Sequence, residues 1–139
     1  NDACWHAGKR AVNNKSIGID FSNAYYLKYQ STYERRGHGP RPIIKNARVH
    51  GIKLKPFLGY YPVQIEAYKA LISALSRHYK IPLEFPENND GSLKEAVDSR
   101  VASGKFEGVA CHYHVTRKKI DTAGLKLDDI IKDIRSLED

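Results

Sequence analysis

The chain has 139 residues, 41% of them hydrophobic and 28% charged, with a formal net charge of +7. That is enough for one domain around a single core. No apolar run is long enough for a membrane span, and no charged-then-apolar leader opens the chain. The positive balance favours acidic partners such as nucleic acid, anionic lipid or an anionic polymer, against the plainer reading that it serves solubility. Cys4 and Cys111 are too few for a disulfide framework, and the sequence leaves their pairing open. There is no methionine, and we expect a mature fragment or part of a longer chain.

In chain order, "KSIGIDFSN" (15–23) alternates, with Ile17, Ile19 and Phe21 on one face, and is predicted as a strand. Asp20 then points to the other face, either half exposed or lining a site. Residues 24–60, rich in Tyr, Gly, Pro and basic side chains, read as a long loop excursion with one short strand near 43–49. Its Arg35, Arg36 and Arg41 read as a solvated cluster, with contact to polymer carboxylates or phosphates as the alternative. The segment "YPVQIEAYKALISALSRHYKIP" is the clearest helix. Pro62 suits its first turn. Ile65, Tyr68, Leu71, Ile72, Leu75 and Tyr79 form its apolar stripe, and Pro82 follows its end.

Next comes a turn and a short helix, with Ser92 as N-cap, Glu95 completing a capping box and Gly104 as the stop. "EGVACHYHV" (107–115) reads as a strand with Val109, Cys111, Tyr113 and Val115 on one face and Ala110, His112 and His114 on the other. "LKLDDIIKDIRSLED" closes the chain as an amphipathic helix, with Leu127, Ile130, Ile131, Ile134 and Leu137 inward. Alternating strands and helices predict an α/β layered domain, a mixed central sheet flanked by helices, over residues 1–139.

The chemistry concentrates in "CHYHVTRKKIDTAG" (111–124). An imidazole on a strand and a carboxylate after a basic loop are ordinary zinc ligands, and a catalytic zinc takes three protein ligands plus water. The plainer alternative is a solvated basic loop after a strand. His38 and His50 have no companions at ligand spacing, and His78 reads as a helix-end residue.

His112, Arg117-Lys118 and Lys119-Ile120-Asp121 together resemble the closing motif of the zinc-dependent N-acetylmuramoyl-L-alanine amidases, whose superfamily includes the peptidoglycan recognition proteins and certain phage lysozymes. "CWHAGK" (4–9) resembles that family's Trp-His-Ala-Gly segment, and "NNKSIGIDFSN" (13–23) its Asn-x-x-Ser-Ile-Gly-Ile-Glu-x-x-Asn strand. A helix with Gln64 near its start and Ile81-Pro82 beyond its end keeps the family order. The resemblance implies an amidase-like or peptidoglycan-recognition-like fold and a Zn2+ cofactor. It implies His112 and Asp121 as the second and third zinc ligands, Asp20 as the carboxylate that handles the water proton, and Lys119 as the oxyanion group. Trp5, His6 and Arg117 would contact substrate. The implied reaction cuts the amide between N-acetylmuramic acid and L-alanine of peptidoglycan, at the bacterial cell wall.

The family's first zinc histidine lies upstream of the Trp-His-Ala-Gly segment, so the domain is expected to be N-terminally incomplete. A preceding segment or a second chain would complete the site, with His6 the weaker candidate to replace the missing ligand. His114 is not expected to share the ion. Side chains two apart on a straight strand have Cβ atoms roughly 6.5–7 Å apart, wide for ligands each about 2 Å from one ion. A non-catalytic muropeptide-binding module of the same fold is the alternative function. Nucleic-acid binding would rest on charge alone and is not expected.

Overall fold

A computed structural model describes residues 6–138. In chain order it contains α1 (Arg10–Asn13), a 3-10 turn (Leu27–Tyr29), α2 (Gln30–Arg35), β1 (Ile43–Ile44), β2 (Arg48–Val49), β3 (Ile52–Lys53), β4 (Phe57–Leu58), α3 (Pro62–Tyr79), α4 (Ser99–Ala102), a second 3-10 turn (His112–His114) and α5 (Leu127–Glu138). The strands form two separate antiparallel pairs. β1 pairs with β4, Ile43 opposite Leu58, and β2 with β3, Val49 opposite Ile52. Helices with small antiparallel strand pairs are compatible with a mixed α/β class, but a mixed central sheet does not form among the described residues.

The core lies between α3 and α5. In α5, Leu127, Ile130, Ile131 and Ile134 are all at most 3% exposed. Their i, i+3, i+4, i+7 spacing puts them on one stripe, and burying each contributes about 1.5–3 kcal/mol before entropy. Asp128 and Asp129 in the first turn suit the positive end of the helix dipole. α3 turns Tyr68 and Ile72 toward this stripe, with Ile65 packed alongside. Pro62 opens α3, the Gln64 side chain accepts the Tyr61 N–H at 3.0 Å, and Lys80 ends the helix in the left-handed conformation. Lys69 of α3 reaches Asp133 of α5 at 2.8 Å. No helix among the described residues is long and apolar enough to cross a membrane.

The structure corrects several expectations. Residues 15–23 form no strand and pair with none among the described residues, which leaves Ile17 and Ile19 50% and 38% exposed. A pleated segment becomes a strand only when a neighbour takes its backbone groups. Leu71, Tyr79 and Leu137 are exposed, because each stripe is narrower than its apolar count. Ser92 caps no helix. Its hydroxyl and N–H both donate to Asp90, and the short helix starts instead at Asp98, whose carboxylate accepts from the N–H groups of Arg100 and Val101. Gly104, with φ +74°, lies just beyond that helix as expected.

Residues 24–60 are not one loop, and Arg41 is not solvated. Arg41 is 2% exposed. Its guanidinium donates to the carbonyls of Ala24 (2.7 Å), Gly59 (2.8 Å) and Leu58 (3.2 Å), and it lies 4.6 Å from the Tyr33 ring centroid. The Gln30 side chain holds the backbone N–H and carbonyl of Arg41 at 2.9 and 2.7 Å. Carbonyl dipoles and an aromatic face thus replace the water that a buried charge gives up, and they close the segment around β1 and β4.

Arg41→Ala should therefore lower stability by at least about 3 kcal/mol, since it leaves three carbonyls without their donor. Arg35→Ala, at an exposed position, should change it by no more than about 0.5 kcal/mol. Urea denaturation of both variants checks this, and equal midpoints would contradict it.

Candidate functional site

Residues 111–115 form a tight turn rather than the predicted strand. The His114 N–H donates to the Cys111 carbonyl and the Val115 N–H to the His112 carbonyl, both at 3.0 Å. The cause lies in the imidazole of His114, which is completely buried. Its Nδ1 accepts the Cys111 N–H at 2.9 Å, and its Nε2 donates to the Lys94 carbonyl at 2.5 Å. The chain is therefore folded back on itself where an alternating pattern would have kept it straight. His112 and His114 do not share a face. His114 points into the protein between Tyr113 and Lys94, while His112 stays partly exposed. Burial pushes the His114 pKa down to about 4.

The return limb is tied to this turn. The Tyr113 N–H donates to the Asp121 carbonyl at 3.0 Å, and the Thr122 hydroxyl donates to Cys111 Sγ at 3.2 Å. Cys111 is a free, buried thiol whose pKa is pushed up by burial; Cys4 lies outside the described residues. With both limbs held, His112 Nδ1 stands 3.0 Å from Asp121 Oδ2. His112 is 23% and Asp121 57% exposed in their side chains, so the pair faces solvent above a buried base.

A tetrahedral zinc with bonds of about 2.0–2.1 Å sets neighbouring donors about 3.3 Å apart. A 3.0 Å nitrogen–oxygen separation is close to that edge, so His112 and Asp121 fit as two of the three protein ligands that a catalytic zinc takes. No group of three or more His, Cys, Asp or Glu side chains placed to hold a metal occurs among the described residues. His6 joins no such group. Its Nε2 lies 2.7 Å from the Ser16 hydroxyl, its backbone N–H donates to the Asn13 side chain, and its ring lies against Gly18, where a Cβ would come within 2.8 Å.

Arg117, Lys118 and Lys119 are exposed on the connecting loop, and Asp20 is exposed on the unpaired 15–23 segment. None of these four side chains has a hydrogen-bond or ion-pair partner among the described residues, so they are available to a ligand. Trp5 lies outside the described residues. Two long-range contacts escaped the sequence reading. Asn23 and Gln64 exchange side-chain amide bonds at 3.0 and 2.8 Å, tying the Asp20 segment to the start of α3. His50 Nε2 lies 2.9 Å from the Lys119 carbonyl. Gln64 and Asn23 stand in the segments that carry the family resemblance, but no local pattern pairs them, or His50 with Lys119.

The sequence model of the family described as N-acetylmuramoyl-L-alanine amidase matches residues 1–85. No curated protein and no solved structure matches the chain.

The buried His114 makes stability depend on pH. Its folded pKa, about 4, lies below the unfolded value of 6.5, so between these values the unfolded chain binds a proton that the folded chain refuses. Stability of the metal-free protein should fall as pH drops from about 6.5 to 4, by an amount on the order of 3 kcal/mol. Urea midpoints across that window check this, and His114→Leu should flatten the slope.

Proposed function

The chain belongs to the N-acetylmuramoyl-L-alanine amidase family, and from that premise we propose that it hydrolyses the amide between the lactyl group of N-acetylmuramic acid and L-alanine in peptidoglycan, within an amidase or peptidoglycan-recognition type of fold. The observation that carries this reading is the 3.0 Å approach of His112 Nδ1 to Asp121 Oδ2, two donors held together and facing solvent.

In this reading His112 and Asp121 hold zinc together with a third donor that is not among the described residues. Zinc, when bound, supplies hydroxide at neutral pH by lowering the pKa of its water to about 7. Asp20, an exposed carboxylate with no described partner, takes the water proton and passes it to the leaving amine. Lys119 offers its ammonium group to the oxygen of the attacked carbonyl, where negative charge develops. Trp5, His6 and Arg117 contact the glycan and stem peptide.

His112→Ala should abolish zinc retention, while Lys119→Ala should keep zinc and lower kcat by about 10²–10³. Zinc content by metal analysis and release of stem peptide from purified walls check the two arms. A chelator should stop the release. Zinc kept by the His112 variant would refute the ligand assignment. Intact walls at stoichiometric zinc would refute hydrolysis and leave a muropeptide-binding module.

A further inference from the structure

We propose that His50 is a positioning residue for Lys119, a role that rests on the oxyanion reading of Lys119. His50 and Gly51 form the two-residue link between β2 and β3, both with positive φ, 56° and 75°. A link with both central residues in that region normally carries Asn, Asp or Gly, since a bulkier side chain is strained there. Histidine, with Asn and Asp, is among the non-glycine residues enriched in that region, so His50 can hold the turn while its side chain reaches elsewhere.

That side chain reaches across 69 positions of sequence to the Lys119 carbonyl, at 2.9 Å. A carbonyl oxygen only accepts, so Nε2 carries the hydrogen. Nδ1 is buried without a hydrogen-bond partner among the described residues, so the ring makes this one hydrogen bond, with the Tyr113 ring nearly perpendicular to it 6.5 Å away. Two ties within the basic loop are longer: Lys118 N–H to the Thr116 hydroxyl at 3.3 Å and Lys119 N–H to the Thr116 carbonyl at 3.4 Å. Both stay within the loop, whereas the His50 bond joins it to the rest of the protein.

The hairpin tip is itself anchored. The His50 N–H donates to the Glu95 carbonyl at 2.8 Å, and the preceding carbonyl, Lys94, accepts from His114. Two consecutive carbonyls therefore brace both the turn that presents His112 and the residue that holds the Lys119 backbone. His50 sets where the Lys119 ammonium can reach relative to His112. Asp121 is held separately, through the Tyr113 N–H, so zinc retention should not depend on His50.

The test compares His50→Asn, His50→Gln, Lys119→Ala and the His50→Asn/Lys119→Ala double variant in the full, zinc-loaded chain. Asn suits the left-handed turn position but is too short to reach the carbonyl, so the fold is spared. His50→Asn should lower kcat between about tenfold and a hundredfold, with KM within about twofold and zinc content unchanged. The double variant should lose no more than Lys119→Ala alone, because His50 acts through Lys119. The longer amide of His50→Gln should recover part of kcat. Trypsin should cut the native His50→Asn protein after Arg117, Lys118 and Lys119 several-fold faster than the parent. Unchanged kcat in His50→Asn beside a damaged Lys119→Ala would overturn this inference alone, as would losses that multiply in the double variant. Full turnover in Lys119→Ala would overturn the oxyanion reading and this inference with it.

Discussion

His114 never meets solvent, and the exposed chemistry around it depends on that. Its ring closes the turn through the Cys111 N–H and fastens the turn to the Lys94 carbonyl. A buried imidazole must satisfy both nitrogens or bear the cost of an orphaned polar group. Here both are used, and the tight turn is the backbone path that brings their partners to them. His112 is then directed outward, and the Tyr113–Asp121 backbone bond returns the chain to the same place. The His112–Asp121 approach is thus set by buried bonds beneath it rather than by the pair itself. A site built on such support loses little side-chain freedom when it takes a ligand.

A buried cation shapes the other half of the molecule. Arg41 gathers carbonyls from either side of the 24–60 segment, and the Gln30 amide fixes its backbone. The Asn23–Gln64 amide pair then joins the Asp20 segment to α3, which packs on α5. Polar side chains reach between elements where sheet ladders are only two residues long. Around the His112–Asp121 pair the loop presents Arg117, Lys118 and Lys119 to solvent. That keeps the local field positive where the proposed reaction would develop negative charge.

α3 and α5 were legible because helical periodicity is a local property of the chain, and the core residues Tyr68, Ile72, Leu127, Ile130, Ile131 and Ile134 follow it. Leu71, Tyr79 and Leu137 were not, since periodicity does not say how wide a face the neighbours cover. Val109, Cys111, Tyr113 and Val115 alternate as a strand would, yet the His114 ring bends them into a turn. His112 still points outward, by a different geometry from the one the alternation suggested. Ser92 read as the cap, but its hydroxyl goes to Asp90, and Asp98, which the sequence reading did not single out, caps the helix. The His112–Asp121 pairing was readable from one motif that sets the two residues nine positions apart. The Arg41 cage, the Asn23–Gln64 pair and the His50–Lys119 bond join residues 17 to 69 positions apart, and no local pattern encodes such contacts.

The central claim is that His112 and Asp121 grip one zinc ion while His114 only supports the turn. Imidazole 15N NMR of the protein titrated with zinc tests it most directly. The account predicts that the Nδ1 resonance of His112 moves to a metal-bound position while both nitrogens of His114 keep their shifts. An unmoved His112 resonance, or a metal-bound His114, would contradict it.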